Sequence, residues 1–376
     1  MKTRLLPGSR IGILGGGQLG RMLAMSARRM GYGVWIYTDV KDSPAAPLAD
    51  SVTVAAYDDA EALAAFARQV HVVTFEFENI PFAAASQLEK QVLVRPSPKV
   101  LHIAQHRGRE KAFLSENGFP IVPYAHVRGP KDVAAALEVT GLPAVLKTAG
   151  FGYDGKGQTK IQDRQALEDK VVGGGDWVLE QWQAFDKEVS VLVARNPQGE
   201  MADWGVVENR HKDHILDVSV VPPVVPKAVA QKAVQVARGI AVALDLVGLL
   251  CVEFFVGKDG CVRVNEMAPR PHNSGHWTIE GAVTSQFEQQ IRAVIGAALG
   301  STEILSPTAM ANVLGDCWLN GEPRWSEVLD DPHVKWHSYG KTDPRKGRKM
   351  GHLTSVGATA EEAVGRVLAA RQRLTP

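Results

Sequence analysis

The chain has 376 residues, and that length favours two or three domains over one. It carries 42 Lys and Arg residues against 41 Asp and Glu residues, so its net charge of +1 predicts no general attraction to nucleic acid or to anionic membranes. An apolar fraction of 45% with a charged fraction of 22% excludes a disordered chain. Three cysteines without metal-ligand spacing predict a reducing, cytoplasmic location, and the sequence predicts neither a secretory segment nor a membrane span.

The first hundred residues alternate strand-like and helix-like segments. Arg10–Leu14 is a short buried-strand pattern, and after a glycine cluster the apolar residues from Leu19 to Met30 recur at helical spacing. Further strands are predicted at 34–38, 70–75 and 92–94. This β-α-β alternation is typical of an α/β fold with a parallel sheet covered by helices.

The pattern changes after the Arg-Pro-Ser-Pro segment at 95–98. Between about 105 and 300 we predict strands at 144–147, 158–161, 177–181 and 188–194, a hairpin at 252–266, and helices at 226–244 and 286–299. The remaining residues predict a smaller α+β unit, with strands near 309–315, 334–340 and 350–357 and a helix at 361–374.

The glycine cluster Gly15–Gly20 fits the G-x-G-x-x-G pattern between a strand and a helix, and Asp39 ends the next strand. Such loops bind a pyrophosphate with backbone N–H groups at the helix N-terminus, and the acidic residue binds a ribose. A phosphate-bearing ligand is favoured, although the glycines could simply permit a tight turn. An NAD-dependent oxidoreductase is the alternative enzyme class that this motif supports.

A second glycine-rich loop runs from Gly150 to Gly157 and contains Lys156. It differs from a P-loop because Gly157 replaces the Ser or Thr whose hydroxyl would bind magnesium. We therefore predict a hairpin lid that covers a polyphosphate, with Lys147 as a second cation and any metal bound elsewhere. The alternative is an ordinary flexible loop, since Gly and Asp favour turns.

Two glutamates lie on the strands of the predicted hairpin. If Gly257 pairs with Gly260, Glu253 faces Val264 and Glu266 faces Cys251, so both carboxylates share one sheet face as diagonal neighbours about 7 Å apart. A slip of one residue would put them on opposite faces. A carboxylate pair of this kind suits Mg²⁺, which takes one or two carboxylates together with phosphate oxygens.

With these motifs, the chain resembles the ATP-grasp superfamily over nearly its whole length, and within it the family of N5-carboxyaminoimidazole ribonucleotide synthetases. The matching segments are GGGQLGRM at 15–22, FEFENI at 75–80, GYDGKGQ at 152–158, EQWQAFDKEVS at 180–190, VEFF at 252–255, NEMAPRPHNSGHWT at 265–278 and YGKTDPRKGRKMGH at 339–352. Formate-dependent glycinamide ribonucleotide transformylases share the Pro-Arg-Pro-His core, but there we would expect Asp-Thr-Gly where this chain has Asn273-Ser274-Gly275.

The resemblance implies three domains and a homodimer. The three domains would be an N-terminal Rossmann-like domain at 1–104, a central ATP-grasp domain at 105–300 with a lid region at about 115–190, and a small C-terminal domain at 301–376. The implied reaction is the carboxylation of aminoimidazole ribonucleotide with ATP and bicarbonate, in purine biosynthesis. Bicarbonate would attack the γ-phosphate to give carboxyphosphate, and the amine would attack either that species or the CO₂ released from it.

The resemblance also implies roles for individual residues, with Mg²⁺ as the cofactor. The ATP ligands would be Arg107, Lys147, Gly152, Tyr153, Asp154, Gly155, Lys156, Gly157, Gln158, Glu180, Gln181, Trp182, Gln183, Glu188, His211, Asn265 and Glu266. Those of the nucleotide substrate would be Gly17, Gln18, Leu19, Glu76, Tyr153, Asp154, Lys341 and Arg348. Glu253 and Glu266 would bind the metal, and Arg270, His272, Asn273 and Lys156 would carry the chemistry.

Arg270 is our candidate for holding bicarbonate, because its planar guanidinium suits bidentate pairing. His272 could act either as a proton acceptor or as a hydrogen-bonding brace. A transformylase-like ligase, the oxidoreductase and a non-catalytic nucleotide sensor are the alternative functions. The oxidoreductase leaves both the lid lysines and the glutamate pair unexplained, and a sensor would not need them.

Overall fold

The computed structural model describes residues 4–150 and 157–376, and three β-sheets organise that part of the chain. The first sheet is parallel throughout, with strand order β3-β2-β1-β4-β5. Its elements are β1 Arg10–Leu14, α1 Gln18–Arg29, β2 Gly33–Thr38, β3 Ser51–Val54, α2 Ala60–Ala67, β4 Val72–Phe75, α3 Phe82–Glu89 and β5 Leu93–Val94. The predicted parallel α/β sheet is confirmed. Because chain order reverses between β1 and β4, the loops after these two strands border a crevice.

Two helices, α4 Pro98–Ala104 and α5 Arg107–Glu116, lead into a second, antiparallel sheet with order β6-β9-β7-β8. Its strands are β6 Tyr124–Val127, β7 Ala144–Thr148, β8 Gln158–Ile161 and β9 Trp177–Gln181, and the helices packed on it are α6 Val133–Thr140 and α7 Arg164–Val171. The segment 151–156, which contains most of the predicted lid loop, lies outside the described residues. At its base, the backbone N–H of Thr148 donates to Gly157 O at 2.8 Å.

The third sheet is antiparallel and has the order β14-β13-β10-β11-β12-β15-β17-β16. Its strands are β10 Lys187–Arg195, β11 Met201–Lys212, β12 Ile215–Val221, β13 Gly248–Val256, β14 Val262–Ala268, β15 Thr308–Leu314, β16 Val334–Ser338 and β17 Lys349–Val356. The accompanying helices are α8 Lys227–Ala243, α9 Thr278–Gly281, α10 Gln286–Ile295, α11 Ser326–Leu329 and α12 Ala360–Leu374. Pairing of β12 with β15 makes the C-terminal strands part of the same sheet as the central ones.

Shared cores fix the first and third sheets against each other. Ile11 and Ile13 on one face of the parallel sheet pack in one cluster with α1 and with Phe287 and Ile291 of α10. Helices α2 and α3 cover the opposite face. The predicted helix at 286–299 is shorter than expected because Gly296 adopts a left-handed conformation (φ 76°) and ends α10.

One hairpin, β11–β12, was not predicted. Its two-residue turn is formed by Asp213 and His214, which have positive φ values of 50° and 64°. Glycine and asparagine are the usual residues at such positions, so the sequence carries only a weak turn pattern there. None of the helices in the described ranges has the length and hydropathy that crossing a membrane requires.

Candidate active site

One cavity of about 780 Å³ lies where the three sheets approach one another. It is bordered by the loops after β1 and β4, by α5, by β13 and β14, and by two loops that follow β14 and β16. The predicted site residues that line it are Gln18, Leu19, Glu76, Arg107, Glu253, Glu266, Arg270, His272, Asn273, Lys341 and Arg348. The fold therefore brings together residues predicted for substrate, ATP, metal and bicarbonate from positions as far apart as 18 and 348.

The glycine loop after β1 surrounds a carboxylate of the same chain. Glu76, at the end of β4, is buried and accepts hydrogen bonds from the backbone N–H groups of Gly17 and, at 2.7 Å, Gly20. A Cβ on Gly15 (φ 98°) would lie 2.5 Å from the Glu76 side chain, and one on Gly17 would lie 2.6 Å from its carboxylate oxygen. Burial raises the pKa of Glu76, and the hydrogen bonds from the two N–H groups only partly offset this rise.

This arrangement argues against the pyrophosphate interpretation of the glycine loop. Two of the N–H groups that could bind a dinucleotide, those of Gly17 and Gly20, already bind Glu76, so the glycines serve close approach to a side chain. The oxidoreductase alternative loses the feature on which it was based. Gln18 and Leu19 still border the same cavity as Lys341 and Arg348.

Buried charges surround the predicted phosphate lysine. Lys147 on β7 donates to Glu180 Oε2 at 2.7 Å, and the fully buried Lys111 of α5 lies 3.5 Å from Glu180 Oε1. Burial alone would raise the pKa of Glu180, but the two lysines lower it to about 2. The Glu180 side chain thus holds cations. Arg107 also lies close by, with its guanidinium 3.5 Å from Glu266 Oε2.

Most of the other predicted nucleotide residues lie on β9, β10 and β11 or directly after β9. His211 Nδ1 is 2.8 Å from Glu188 Oε2, and although burial would lower the pKa of His211, that carboxylate raises it overall. Trp182 is exposed beneath Lys160, whose Nζ lies 3.9 Å from the ring centre. Predicted residues that do not border the cavity are Gly17, Lys147, Gly157, Gln158, Glu180, Gln181, Trp182, Gln183, Glu188, His211 and Asn265. Gly152, Tyr153, Asp154, Gly155 and Lys156 lie outside the described residues.

The predicted hairpin register is wrong, yet the glutamates meet. The turn is longer than assumed because Asp259 accepts from Cys261 N–H and Gly260 has φ 78°, so Val256 pairs with Val262. This register is shifted by one residue and would place the two carboxylates on opposite faces. A β-bulge at Asn265 adds a second shift of one residue in the same direction. The total shift of two residues returns both carboxylates to one face, and Glu253 lies directly opposite Glu266.

The loop after β14 carries Arg270, whose guanidinium forms a bidentate pair with Glu78. A third N–H donates to Pro271 O at 3.0 Å. Bidentate pairing was predicted for Arg270, but with bicarbonate, and in this structure the partner is a carboxylate from the loop after β4. Burial lowers the pKa of Arg270, but Glu78 raises it overall.

Both ring nitrogens of His272 have partners. Nδ1 lies 2.8 Å from Ser274 Oγ, and Nε2 lies 3.0 Å from Glu253 Oε1. Burial opposes a charged His272, yet its acidic surroundings, Glu253 included, raise its pKa overall. The geometry therefore favours the brace over the proton acceptor. Next to it, Asn273 Oδ1 is 3.4 Å from the Tyr339 hydroxyl.

Several residues of the site escaped the sequence analysis. Glu78 and Tyr339 lie in quoted segments but were given no role, and Glu110 and Lys111 belong to no quoted motif. Glu110 is buried beside the cavity, and burial raises its pKa to about 7 although nearby Arg107 opposes the shift. Nothing in the sequence distinguishes Glu110 and Lys111 from surface charges. What marks them is their burial, which is rare for unpaired Glu and Lys residues.

Comparison with known proteins agrees with this geometry. Three family models match successive segments: the ribonucleotide synthetase preATP-grasp domain at 9–105, the ATP-grasp domain at 112–287, and the phosphoribosylaminoimidazole carboxylase C-terminal domain at 308–366. N5-carboxyaminoimidazole ribonucleotide synthase of Brucella melitensis is 44% identical over 359 residues, with 94% of this chain and 98% of the relative covered. The Bacillus subtilis enzyme of the same name is 42% identical over 367 residues, with 96% and 95% covered.

Solved structures show the same similarity. The crystal structure of an N5-carboxyaminoimidazole ribonucleotide synthetase in complex with ADP superimposes with a TM-score of 0.92 at 39% identity, covering 98% of both chains. Similarity at this level extends over all three sheets and over the loops that form the cavity. The chain belongs to the N5-carboxyaminoimidazole ribonucleotide synthase family of ATP-grasp proteins.

Proposed function

We propose that this chain carboxylates 5-aminoimidazole ribonucleotide on its exocyclic amine, using ATP and bicarbonate and releasing ADP and phosphate, as a step of purine biosynthesis. The observation that carries the proposal is that Lys341 and Arg348 line the same cavity as the glutamate pair and Arg270. A phosphorylated nucleotide, a metal-bound polyphosphate and a small anion each need one of these groups. Membership of the family supports the same reaction.

We assign the ATP phosphates to the side of the cavity that Arg107 borders, and we infer that Lys147, which is not part of the cavity wall, adds a second positive charge there. Glu180 holds Lys147 in place, and burial makes its charge more effective than that of an exposed lysine. Lys156 and the lid loop would cover the transferred phosphate. Transfer of a phosphoryl group depends mainly on such positioning and charge neutralisation.

Mg²⁺ fits the glutamate pair. Glu253 and Glu266 oppose each other across two strands, and two carboxylates plus phosphate oxygens are a common ligand set for this ion. Both border the cavity, so a bound nucleotide could complete the coordination. When bound, the ion would neutralise charge on the phosphates during transfer.

The chemistry then follows from the nucleophiles. A bicarbonate oxygen attacks the γ-phosphorus, the bond to ADP breaks, and carboxyphosphate forms. The amine of the ribonucleotide then attacks the carbon of carboxyphosphate and displaces phosphate, or carboxyphosphate first splits into CO₂ and phosphate and the amine attacks the CO₂. In either route the amine loses one proton, which the released phosphate can accept. Within the described residues, three of the five N–H donors of Arg270 have protein partners, and we infer that the others hold the carboxylate. Glu78 fixes the plane of this guanidinium, and His272 braces Glu253.

The proposal includes a homodimer in the cytoplasm, as the family resemblance implies. Light scattering coupled to gel filtration tests the dimer, which predicts a mass of twice 40.6 kDa. The reaction is tested by phosphate release from Mg-ATP with aminoimidazole ribonucleotide, with and without bicarbonate in degassed buffer. Release that needs both compounds, with ¹⁴C passing from bicarbonate into an acid-labile product, supports the proposal. Release that needs formate and a glycinamide ribonucleotide instead would contradict it.

A further inference from the structure

The bulge at Asn265 decides whether the two glutamates can meet. From Val262 to Val264 the strands follow a register in which Glu266 would pair with Val252 and point away from Glu253. Asn265 is the extra residue that returns Glu266 to the correct face. Bulges interrupt strand pairing, so the backbone groups around them need other partners.

Strand β14 lies at the edge of its sheet, and its outer backbone groups are bound by residues before and within the lid region. Val264 N–H donates to Pro120 O at 2.7 Å. Lys111 Nζ donates to Asn265 O at 2.9 Å, and Met267 N–H donates to Glu110 Oε1 at 2.6 Å. Two adjacent side chains of α5 thus hold the backbone on both sides of Glu266.

Lys111 has a second contact that links this strand to the nucleotide residues. Its ammonium group is fully buried and lies 3.5 Å from Glu180, which in turn binds Lys147. Lys147 Nζ is itself 3.5 Å from Asn265 Oδ1. A buried ammonium without hydrogen bonds is costly, and both partners of Lys111 belong to the site.

We propose that Glu110 and Lys111 are positioning residues that clamp the bulge of β14, and thereby set the orientation of Glu266 toward a divalent cation. This inference rests on the proposed function, because it assumes that Glu253 and Glu266 bind the metal. The clamp acts through the backbone at 265 and 267. Residues that orient metal ligands in this way typically change metal affinity by about 10- to 100-fold when they are replaced.

The test measures metal binding directly, without turnover. Mn²⁺ is titrated into the protein with the non-hydrolysable ATP analogue AMPPNP, and free Mn²⁺ is followed by electron paramagnetic resonance. We expect Lys111→Met and Glu110→Met each to weaken Mn²⁺ binding about tenfold or more. Arg95→Met is the matched control, because Arg95 is also a buried cation that donates to a backbone carbonyl, Val294 O at 2.7 Å, on another part of the fold.

Glu266→Gln separates this inference from the proposed function. Should wild-type protein bind no Mn²⁺ with AMPPNP, or should Glu266→Gln bind it normally, the metal site itself would be misassigned. If Glu266→Gln weakens binding while both clamp variants match the wild type, the clamp is refuted and the metal site stands. Equal weakening in Arg95→Met would also refute it, because loss of any buried cation would then suffice. Replacing Lys111 with Met leaves Glu180 paired to Lys147, so we expect the variant to fold.

Discussion

Replacing Glu76 with glutamine tests how the front loop is built. The carboxylate accepts N–H groups from Gly17 and Gly20 at the first turn of α1. Glutamine can accept with only one of its two terminal atoms, so one N–H would face an NH₂ donor. Loss of a hydrogen bond to a charged group costs about 1.5–3 kcal/mol, and burial of the Glu76 carboxylate leaves no further gain from its charge. We therefore expect Glu76→Gln to lower the free energy of unfolding by about 1.5–3 kcal/mol.

The assay is urea unfolding followed by tryptophan fluorescence and by circular dichroism. Glu61→Gln is the matched control, because Glu61 is an exposed acid in the first turn of α2. That variant should lose at most about 1 kcal/mol, the range for a charge near a helix N-terminus. If Glu76→Gln unfolds at the same urea concentration as Glu61→Gln, the carboxylate does not organise the glycine loop. The dinucleotide interpretation would then have to be reconsidered.

Three further predictions concern the site and its surroundings. Glu266→Gln should lower the rate of phosphate release by about 100-fold or more, because only the Glu253 carboxylate would remain for the metal. The measurement is steady-state kinetics at varied Mg²⁺ concentration, and an active variant with ordinary Mg²⁺ dependence would contradict this. Arg270→Lys should lower kcat by about 100-fold while the KM for ATP changes little, because lysine cannot pair bidentately with Glu78. An unchanged kcat would show that Arg270 does not hold the reacting carboxylate. Burial, together with the imidazoles of His276 and His337, lowers the pKa of His352 far below 6.5, so the unfolded state binds the proton more readily. Stability should fall by about 1.4 kcal/mol per pH unit below about pH 6.5 through this group, and His352→Gln should remove that dependence in urea unfolding between pH 7 and 5; equal slopes would contradict it.

The elements that local patterns determine were predictable. Arg10–Leu14 and Trp177–Gln181 have the predicted bounds, and the helix predicted at 361–374 begins one residue earlier, at Ala360, where Thr359 caps it. The glutamate pair was predicted from alternation along two strands. Its register could not be predicted, because it depends on a five-residue turn and on a bulge. Each shifts the pairing by one residue in the same direction, and the total of two residues returns both carboxylates to one face.

Contacts between distant segments were harder to predict. Glu76 fills a loop that precedes it by about sixty residues, and no pattern in the glycine motif distinguishes an internal carboxylate from a phosphate. Glu78 and Arg270 are 192 residues apart, and Lys111 acts through backbone at 265. Such pairs depend on how the sheets pack, which the local sequence does not determine.

The most direct test of the central claim is the origin of the oxygen in the released phosphate. We would incubate the protein with Mg-ATP, aminoimidazole ribonucleotide and [¹⁸O]bicarbonate, and analyse the phosphate by ³¹P nuclear magnetic resonance. Attack of bicarbonate on the γ-phosphorus predicts that each phosphate carries one oxygen from bicarbonate, formed together with the carboxylated nucleotide. Phosphate that takes its oxygen from water while the nucleotide stays unchanged would contradict the proposed function.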